Sequence, residues 1–302
     1  MRANSRIQKC TKYQVLWLLF VTITTQAASI NVTDYANRSV TLQQTAERVI
    51  ALSPHIVENM FSIGAGSLLV GVVDHSDFPH QAKQITRIGG ASSFSLEKIL
   101  SLSPDLVIVW ASAAKNSIVE KLTSLGIPVY VDNPRTLVDI ARSIRDFGLL
   151  TGQIEKSITV ANNYLLEVQS LRNQYQRVDD ITVLYEVWNN PLQTINRKHI
   201  ISDIITLCGG KNVFGDTLSL APKVNIEAVI NRNPDIIVSS NTSNQQQWLD
   251  YWLAWPVLRA VRHRRLYVID PDLIQRHTVR ILTGTKILCD YINETPLTER
   301  QR

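Results

Sequence analysis

The stretch LEKILSLSPDLVIVW, Leu96–Trp110, decides how this chain is built, because IEAVINRNPDIIVSS, Ile226–Ser240, repeats it 130 residues later. Aligned without gaps, both run apolar–Glu–x–apolar–apolar, reach Pro-Asp at the same place, and continue with three aliphatic residues. Helical spacing that stops before a proline marks a short helix, since proline cannot continue it. Asp105 and Asp235 then make a tight entry to an aliphatic run of strand length. A helix–strand unit built twice, with a glutamate at each helix start (Glu97 and Glu227), implies two lobes of similar design.

The flanking sequence fits that plan. RVIAL (Arg48–Leu52) is a short strand, and the helical stretch after it stops at Gly64 and Gly66 before a second strand at Leu69–Asp74. IVEKLTSLGIPVYVDN is helix, glycine, strand again. Strands alternating with helices indicate parallel pairing in a sheet covered on both faces. From Gln153 to Gln176 the pattern changes, with Ile154, Ile158, Ala161, Leu165, Val168, Leu171 and Tyr175 at helical spacing. That is one long amphipathic helix of roughly 35 Å at 1.5 Å per residue, stiff enough to act as a strut. Beyond it ITVLYEVW is a strand, HIISDIITLCGG a helix with a glycine stop, RRLYVID a strand and HTVRILTGTKILCDYI a closing helix. The expected fold class is therefore α/β: two similar lobes, each a mainly parallel sheet flanked by helices, joined by one long rigid helix. The expected boundaries are a signal peptide at 1–28, an N-terminal lobe at 29–150, the connecting helix at 151–177 and a C-terminal lobe at 178–302. A cleft between two lobes is where small-molecule sites preferentially lie.

Composition narrows the function. Of 302 residues 45% are hydrophobic, ample for a folded core, and the formal net charge is +5. Four of the 31 basic residues (Arg2, Arg6, Lys9 and Lys12) fall in the first 28 positions, which hold no acid, leaving 27 against 26 acidic residues. The remainder is nearly neutral, so nucleic-acid binding by counterion release has little support. The same 28 residues have the order of a secretory signal: a basic start, the apolar run YQVLWLLFVTI, then small residues. The expected location of the mature chain is the periplasm. Removing the signal, with Cys10, leaves Cys208 and Cys289, a disulfide or a pair of buried thiols.

Reactive groups in a catalytic pattern are missing from the sequence. GAGSLL (Gly64–Leu69) has leucine where a dinucleotide fingerprint needs its third glycine, and there is no GxSxG, P-loop, CxxC or HExxH. The chain is not expected to be an enzyme, to need a cofactor or to hold a metal by its own residues alone. Aromatic residues at strand ends are more informative. Trp110 terminates the first repeat strand and Trp188 closes VLYEVW, and ligands of parallel sheets sit beyond the carboxyl ends of strands. One tryptophan per lobe could wall a planar ligand. DPDLIQRH (Asp270–His277) adds Asp272 and Arg276 at another strand end.

Taken together, these features resemble the cluster of ABC-importer binding proteins that have a rigid interdomain helix and carry cobalamin, haem or iron–siderophores. The corrinoid-carrying branch is the most similar. SDFP (Ser76–Pro79) is similar to that branch's Ser-Asp-Tyr-Pro loop, with His75 where a corrin-contacting tyrosine stands. SPDLVIVW ends in the position of a ligand-facing tryptophan, Trp110, and DLIQR matches an Asp-x-x-x-Arg ligand loop at Asp272 and Arg276. CGGKNVF and the helix carrying Cys289 match the family's disulfide pair, Cys208 and Cys289. The resemblance implies capture of cobalamin or a related corrinoid by a monomer, with His75, Trp110, Trp188, Asp272 and Arg276 at the ligand. It also implies delivery to importer permease subunits and their ATPase, docking through Glu97 and Glu227. Ala91 and Ala221 replace family tryptophans, and Trp188 stands to compensate for part of that wall. At His75 an imidazole could reach the cobalt of a corrinoid lacking its own lower base. A haem or iron–siderophore carrier of the same cluster is the alternative; an exported enzyme is a distant one.

Overall fold

The computed structural model of the protein describes residues 29–90, 93–112, 116–175, 181–240 and 244–296. The expected signal segment and Ala91 lie outside them. A hairpin of β1 (Ile30–Thr33) and β2 (Ser39–Leu42) opens the described chain. The first lobe then runs β3 (Val49–Ala51), α1 (Pro54–Ser62), β4 (Leu69–Val72), a small ribbon of β5 (Gly89–Gly90) and β6 (Ser93–Phe94), α2 (Leu96–Ser101), β7 (Leu106–Trp110), α3 (Asn116–Ser124), β8 (Val129–Asp132) and α4 (Leu137–Thr151). The connecting helix α5 spans Ile154–Gln174, about 31 Å at 1.5 Å per residue. The second lobe runs β9 (Ile181–Glu186), α6 (Ile200–Leu207), β10 (Gly210–Asn212), α7 (Ile226–Arg232), β11 (Ile236–Ser239), α8 (Gln245–Leu253), α9 (Arg259–Arg262), β12 (Leu266–Val268), α10 (Pro271–Ile274) and α11 (Ile281–Asn293).

Each lobe has a four-stranded sheet, ordered β4-β3-β7-β8 and β10-β9-β11-β12, and every pair in both is parallel. The orders are equivalent, so the repeated units α2–β7 and α7–β11 occupy the same place in each lobe. Their details match as well. Ser95 Oγ accepts from Lys98 N at 3.2 Å and Asn225 Oδ1 from Ala228 N at 2.9 Å, capping the two helices at the same offset. Both helices end on a non-glycine residue in the left-handed region, Ser103 (φ 46°) and Asn233 (φ 44°), just before the proline. The aspartate that follows has a structural task. Asp105 accepts the backbone N–H groups of Glu47 and Arg48, and Asp235 accepts the N–H and hydroxyl of Thr182. Each repeated aspartate thus pins the entry to its lobe's central strand, β3 or β9.

One apolar cluster crosses the molecule. It contains Ile56 and Phe147 of the first lobe, Ala161 and Val168 of α5, and Ile204 and Leu288 of the second, all buried. The outer face of each sheet has its own smaller core, around Val107 and Val109 in one lobe and Leu184, Trp248 and Trp252 in the other. Cys208, at the C-terminus of α6, is disulfide-bonded to Cys289 of α11 across a sequence separation of 81. In the chain-entropy model such a loop closure stabilises the fold by up to about 4.5 kcal/mol.

Two expectations are corrected. The buried stripe of α5 is Ser157, Ala161, Tyr164, Val168 and Leu171, whereas Ile154 and Ile158 are exposed at 46% and 44%. The reason is Gly148 of α4: a Cβ there would overlap the Ser157 side chain, so the helices meet through this small pair. The apolar isoleucines are turned away. The closing helix also begins at Ile281 rather than His277, because Thr278–Arg280 forms a turn joining α10 to α11.

Candidate functional site

In both sheets the chain moves to opposite sides of its first strand, so the strand order reverses beside β3 and beside β9. Crevices at such switch points, beyond the carboxyl ends of strands, are where ligands of parallel sheets bind. Trp110 ends β7 beside the first switch point and is half-buried. Its ring meets His55 edge-on at 5.5 Å and His277 at 5.7 Å, and the two imidazoles are 5.2 Å apart. His55 comes from the first turn of α1 and His277 from the segment before α11, so this aromatic floor is shared by the lobes. Asn59 Nδ2 donates to the His277 carbonyl at 2.9 Å and ties the same two segments. Burial first, then the neighbouring His55, His199 and Arg135, hold His277 well below the ordinary histidine value, so it is neutral.

His55 is held by Ser53 Oγ at 2.7 Å on Nδ1 and by Asp132 Oδ2 at 3.0 Å on Nε2, and Ser143 Oγ donates to Asp132 Oδ1 at 2.5 Å. The residue types are those of a hydrolytic triad, but Ser53 is 2% exposed and no carbonyl carbon can approach its oxygen. The array is a strut that fixes the floor.

At the side of the floor lies an ionic network that also joins the lobes. Glu58, on α1, is buried; Arg276 Nη1 donates to its Oε1 at 2.7 Å, and Arg280 Nη1 is 3.7 Å from Oε2. Arg276 Nη2 is 2.8 Å from Asp272 Oδ1 and donates to the carbonyl of His75 at 3.2 Å. The structure therefore brings together His75 of the first lobe with Asp272 and Arg276 of the second. His75 has φ 63°, uncommon for a non-glycine residue, and its side chain is exposed. Arg87 steadies its loop by donating to the carbonyls of Val73 and Ser76, both at 2.9 Å. Arg280 lies 3.9 Å over the ring of Phe78, adding a cation–π contact across the cleft.

Trp188 stands apart from this group. It lies two residues beyond β9, is 56% exposed, and donates its indole N–H to the Asn190 carbonyl at 2.9 Å within a turn closed by Gln193. Below it, Glu186 is fully buried and accepts the indole N–H groups of Trp248 (2.9 Å) and Trp252 (2.8 Å) on one oxygen. Burial raises its pKa, and the two indoles oppose the shift. Glu97 and Glu227 occupy equivalent second positions of α2 and α7 and are exposed, in the first turn where a helix dipole favours an acid.

Sequence reasoning missed Glu58, Arg280, Phe78, His55 and His277. The spacing of Arg276 and Arg280, four apart before a helix, was a signal for a shared anionic partner. Among the described residues no group of three or more His, Cys, Asp or Glu side chains is arranged to hold a metal ion, and no helix is long and apolar enough to cross a membrane.

A two-lobed α/β scaffold with an aromatic and ionic junction at its switch points is the design of a solute-binding protein. Residues 49–273 match the model of the periplasmic binding protein family, and the chain belongs to that family. Among its relatives is the vitamin B12-binding protein of Vibrio cholerae, 32% identical over 248 residues that cover 82% of this chain and 89% of the relative. The vitamin B12-binding protein of Yersinia pestis is 30% identical over 254 residues, covering 84% and 89%. The crystal structure of periplasmic vitamin B12 binding protein BtuF of Vibrio cholerae superposes with a TM-score of 0.76 at 32% identity, over 82% of this chain and 97% of that one. The periplasmic heme-binding protein RhuT from Roseiflexus shares the fold, with a TM-score of 0.74 at 23% identity, over 83% and 99%.

Proposed function

We propose that this protein captures cobalamin or a related corrinoid in the cleft between its lobes and hands it to an ABC importer. The observation that carries the reading is a likeness to vitamin B12-binding proteins at about 30% identity across nearly their whole length. The site chemistry supports it. A corrinoid is a broad, rigid ring edged with amides, which wants flat apolar walls and a few fixed polar groups. Trp110 and Trp188 supply walls, His75 an exposed ring, and Asp272 and Arg276 the polar edge. The role requires binding and release, with no covalent step.

In this account 1–28 directs export to the periplasm, 29–150 and 178–302 form the lobes that bracket the ligand, and 151–177 joins them. Glu97 and Glu227, one exposed carboxylate per lobe at equivalent positions, meet basic residues of the permease. Tryptophan fluorescence of purified, ligand-free protein titrated with cyanocobalamin tests the proposal. Saturable quenching is expected, with affinity lowered roughly thirtyfold in Trp110→Ala, since a buried aromatic anchor is worth about 2 kcal/mol. Folded protein that shows no saturable response would overturn the reading.

A further inference from the structure

The two ends of the cleft differ in charge. At the Arg276 end each cation is matched, with Arg276 on Glu58 and Asp272, and Arg280 beside Glu58. At the other end a cavity of about 580 Å³ is lined by Arg135, Arg197, Lys198 and Asp203, with Leu218 and Leu220 among its apolar walls. Arg135 lies three residues past β8, and Arg197 and Lys198 lie on the connection from β9 to α6. Both lobes therefore feed the cavity from their strand ends. Among the described residues, no carboxylate oxygen lies within 4 Å of these three cations. Arg197 uses its Nε on the Gly215 carbonyl at 2.9 Å, and Asp203 accepts the backbone N–H of Leu137 at 2.8 Å. The cavity lining thus holds three cations and one acid that is already engaged, with Asp216 outside the lining also near Arg197.

One chain segment leads from the ligand wall to the cavity, whose lining includes Asn196. The turn of Trp188 closes on Gln193, and the chain then runs extended, with Thr194 N donating to Pro222 O and Asn196 N to Leu220 O, each at 3.0 Å. From Gln193 to Asn196 is three residues, about 10 Å at strand rise. From the other lobe, the charge of Arg135 is felt at His277, whose ring touches Trp110. Arginine suits the task that remains, because its planar fork binds a phosphate through two parallel hydrogen bonds.

We propose that this cavity is the anion-binding end of the cleft, where Arg135, Arg197 and Lys198 receive a phosphate group carried by the bound ligand. The inference rests on the corrinoid reading. Complete cobalamin carries one phosphodiester, in its nucleotide loop, and cobinamide carries none. Leu218 and Leu220 offer apolar surface to the organic group attached to that phosphate.

Calorimetric titration of the wild type and Arg135→Gln with cyanocobalamin and with cobinamide tests it. Arg135→Gln should weaken cyanocobalamin about tenfold or more, the worth of a charge-assisted contact, and leave cobinamide unchanged. The double variant Arg197→Gln/Lys198→Gln alters only exposed side chains and should act in the same direction. Equal weakening of both ligands would make Arg135 a structural residue and overturn the proposal, as would no weakening of either. Inorganic phosphate serves as the control for a free anion. If it binds in an Arg135-dependent way without competing with cyanocobalamin, the cavity serves a separate ion and the proposal is wrong. A folded wild type that binds neither corrinoid would remove the functional reading and this inference with it, a pattern distinct from the others.

Discussion

Glu58 is the residue on which the junction of the lobes turns. It is 3% exposed, faces two guanidinium groups, and its nearest partner is 218 residues away in sequence. That distance is why the residue was illegible: within HIVENMF it reads as the one acid of a short helix with no partner nearby in sequence. Glu58→Gln leaves Arg280 without this counter-charge and Arg276 with Asp272 alone, and removal of one partner of a buried pair typically costs about 3 kcal/mol. Urea unfolding should report a loss of that order, with the double variant Glu58→Leu/Arg276→Met losing less. A Glu58→Gln midpoint equal to wild type would show that the network contributes nothing. A second residue-scale expectation concerns acid. His199 is held down to about 4 by burial and then by Arg135, and His277 is lowered in the same direction. Both are neutral in the folded protein, whereas the unfolded chain takes up protons near the ordinary value of 6.5. Stability is therefore complete above about pH 6.5 and falls as the pH drops toward 4, by at most about 1.4 kcal/mol per pH unit for each histidine. Thermal unfolding across that window measures it. His199→Asn, which keeps a capping side chain where His199 Nδ1 now accepts from Ile201 N, should flatten the slope. An unchanged slope would rule out His199 as a contributor.

At the scale of elements, the repeat was legible because everything that shapes it is local. Cap, glutamate, left-handed stop, proline and aspartate lie within eleven residues in each copy, and both copies fold alike. The connecting helix was legible as a helix but not in the face it buries. Hydropathy put Ile154 and Ile158 inside; the close approach of α4 at Gly148 selects Ser157 instead. Alanine is the better helix former by about 1 kcal/mol, so propensity alone would favour Gly148→Ala. The overlap with Ser157 should outweigh it, giving a net loss of about 1–2 kcal/mol that Ser157→Gly restores in part. A stabilised Gly148→Ala would mean that α4 and α5 are not so closely packed. The short hairpin β1–β2 and α10 carried no distinctive pattern and went unread. Glu97 and Glu227 were visible as a pair, and the docking role proposed for them is tested by Glu97→Lys/Glu227→Lys. Growth that depends on corrinoid import should fail while corrinoid affinity stays within about twofold, because charges at an interface rim govern docking rather than the cleft. Equal loss of affinity would place the two acids at the ligand.

For the whole molecule, the shared apolar cluster matters more than any single contact. It runs from α1 and α4 through α5 to α6 and α11, so swinging one lobe away from the other would expose a close-packed interior. Adding the Glu58 network and the Asn59–His277 bond, the cleft should change its opening only slightly on binding. Small-angle scattering of free and loaded protein should nearly superimpose, and a closure of tens of degrees would contradict a rigid connector. What the sequence could not convey at this scale is which pairs meet across the cleft, because the lobes touch through residues far apart in the chain. The central claim is that this cleft selects a corrinoid. Its most direct test is calorimetric titration of purified, ligand-free protein with cyanocobalamin and haemin side by side. One molecule of cyanocobalamin should bind per chain, more tightly than haemin; tight haemin binding with no heat from cyanocobalamin would contradict a corrinoid-selective cleft.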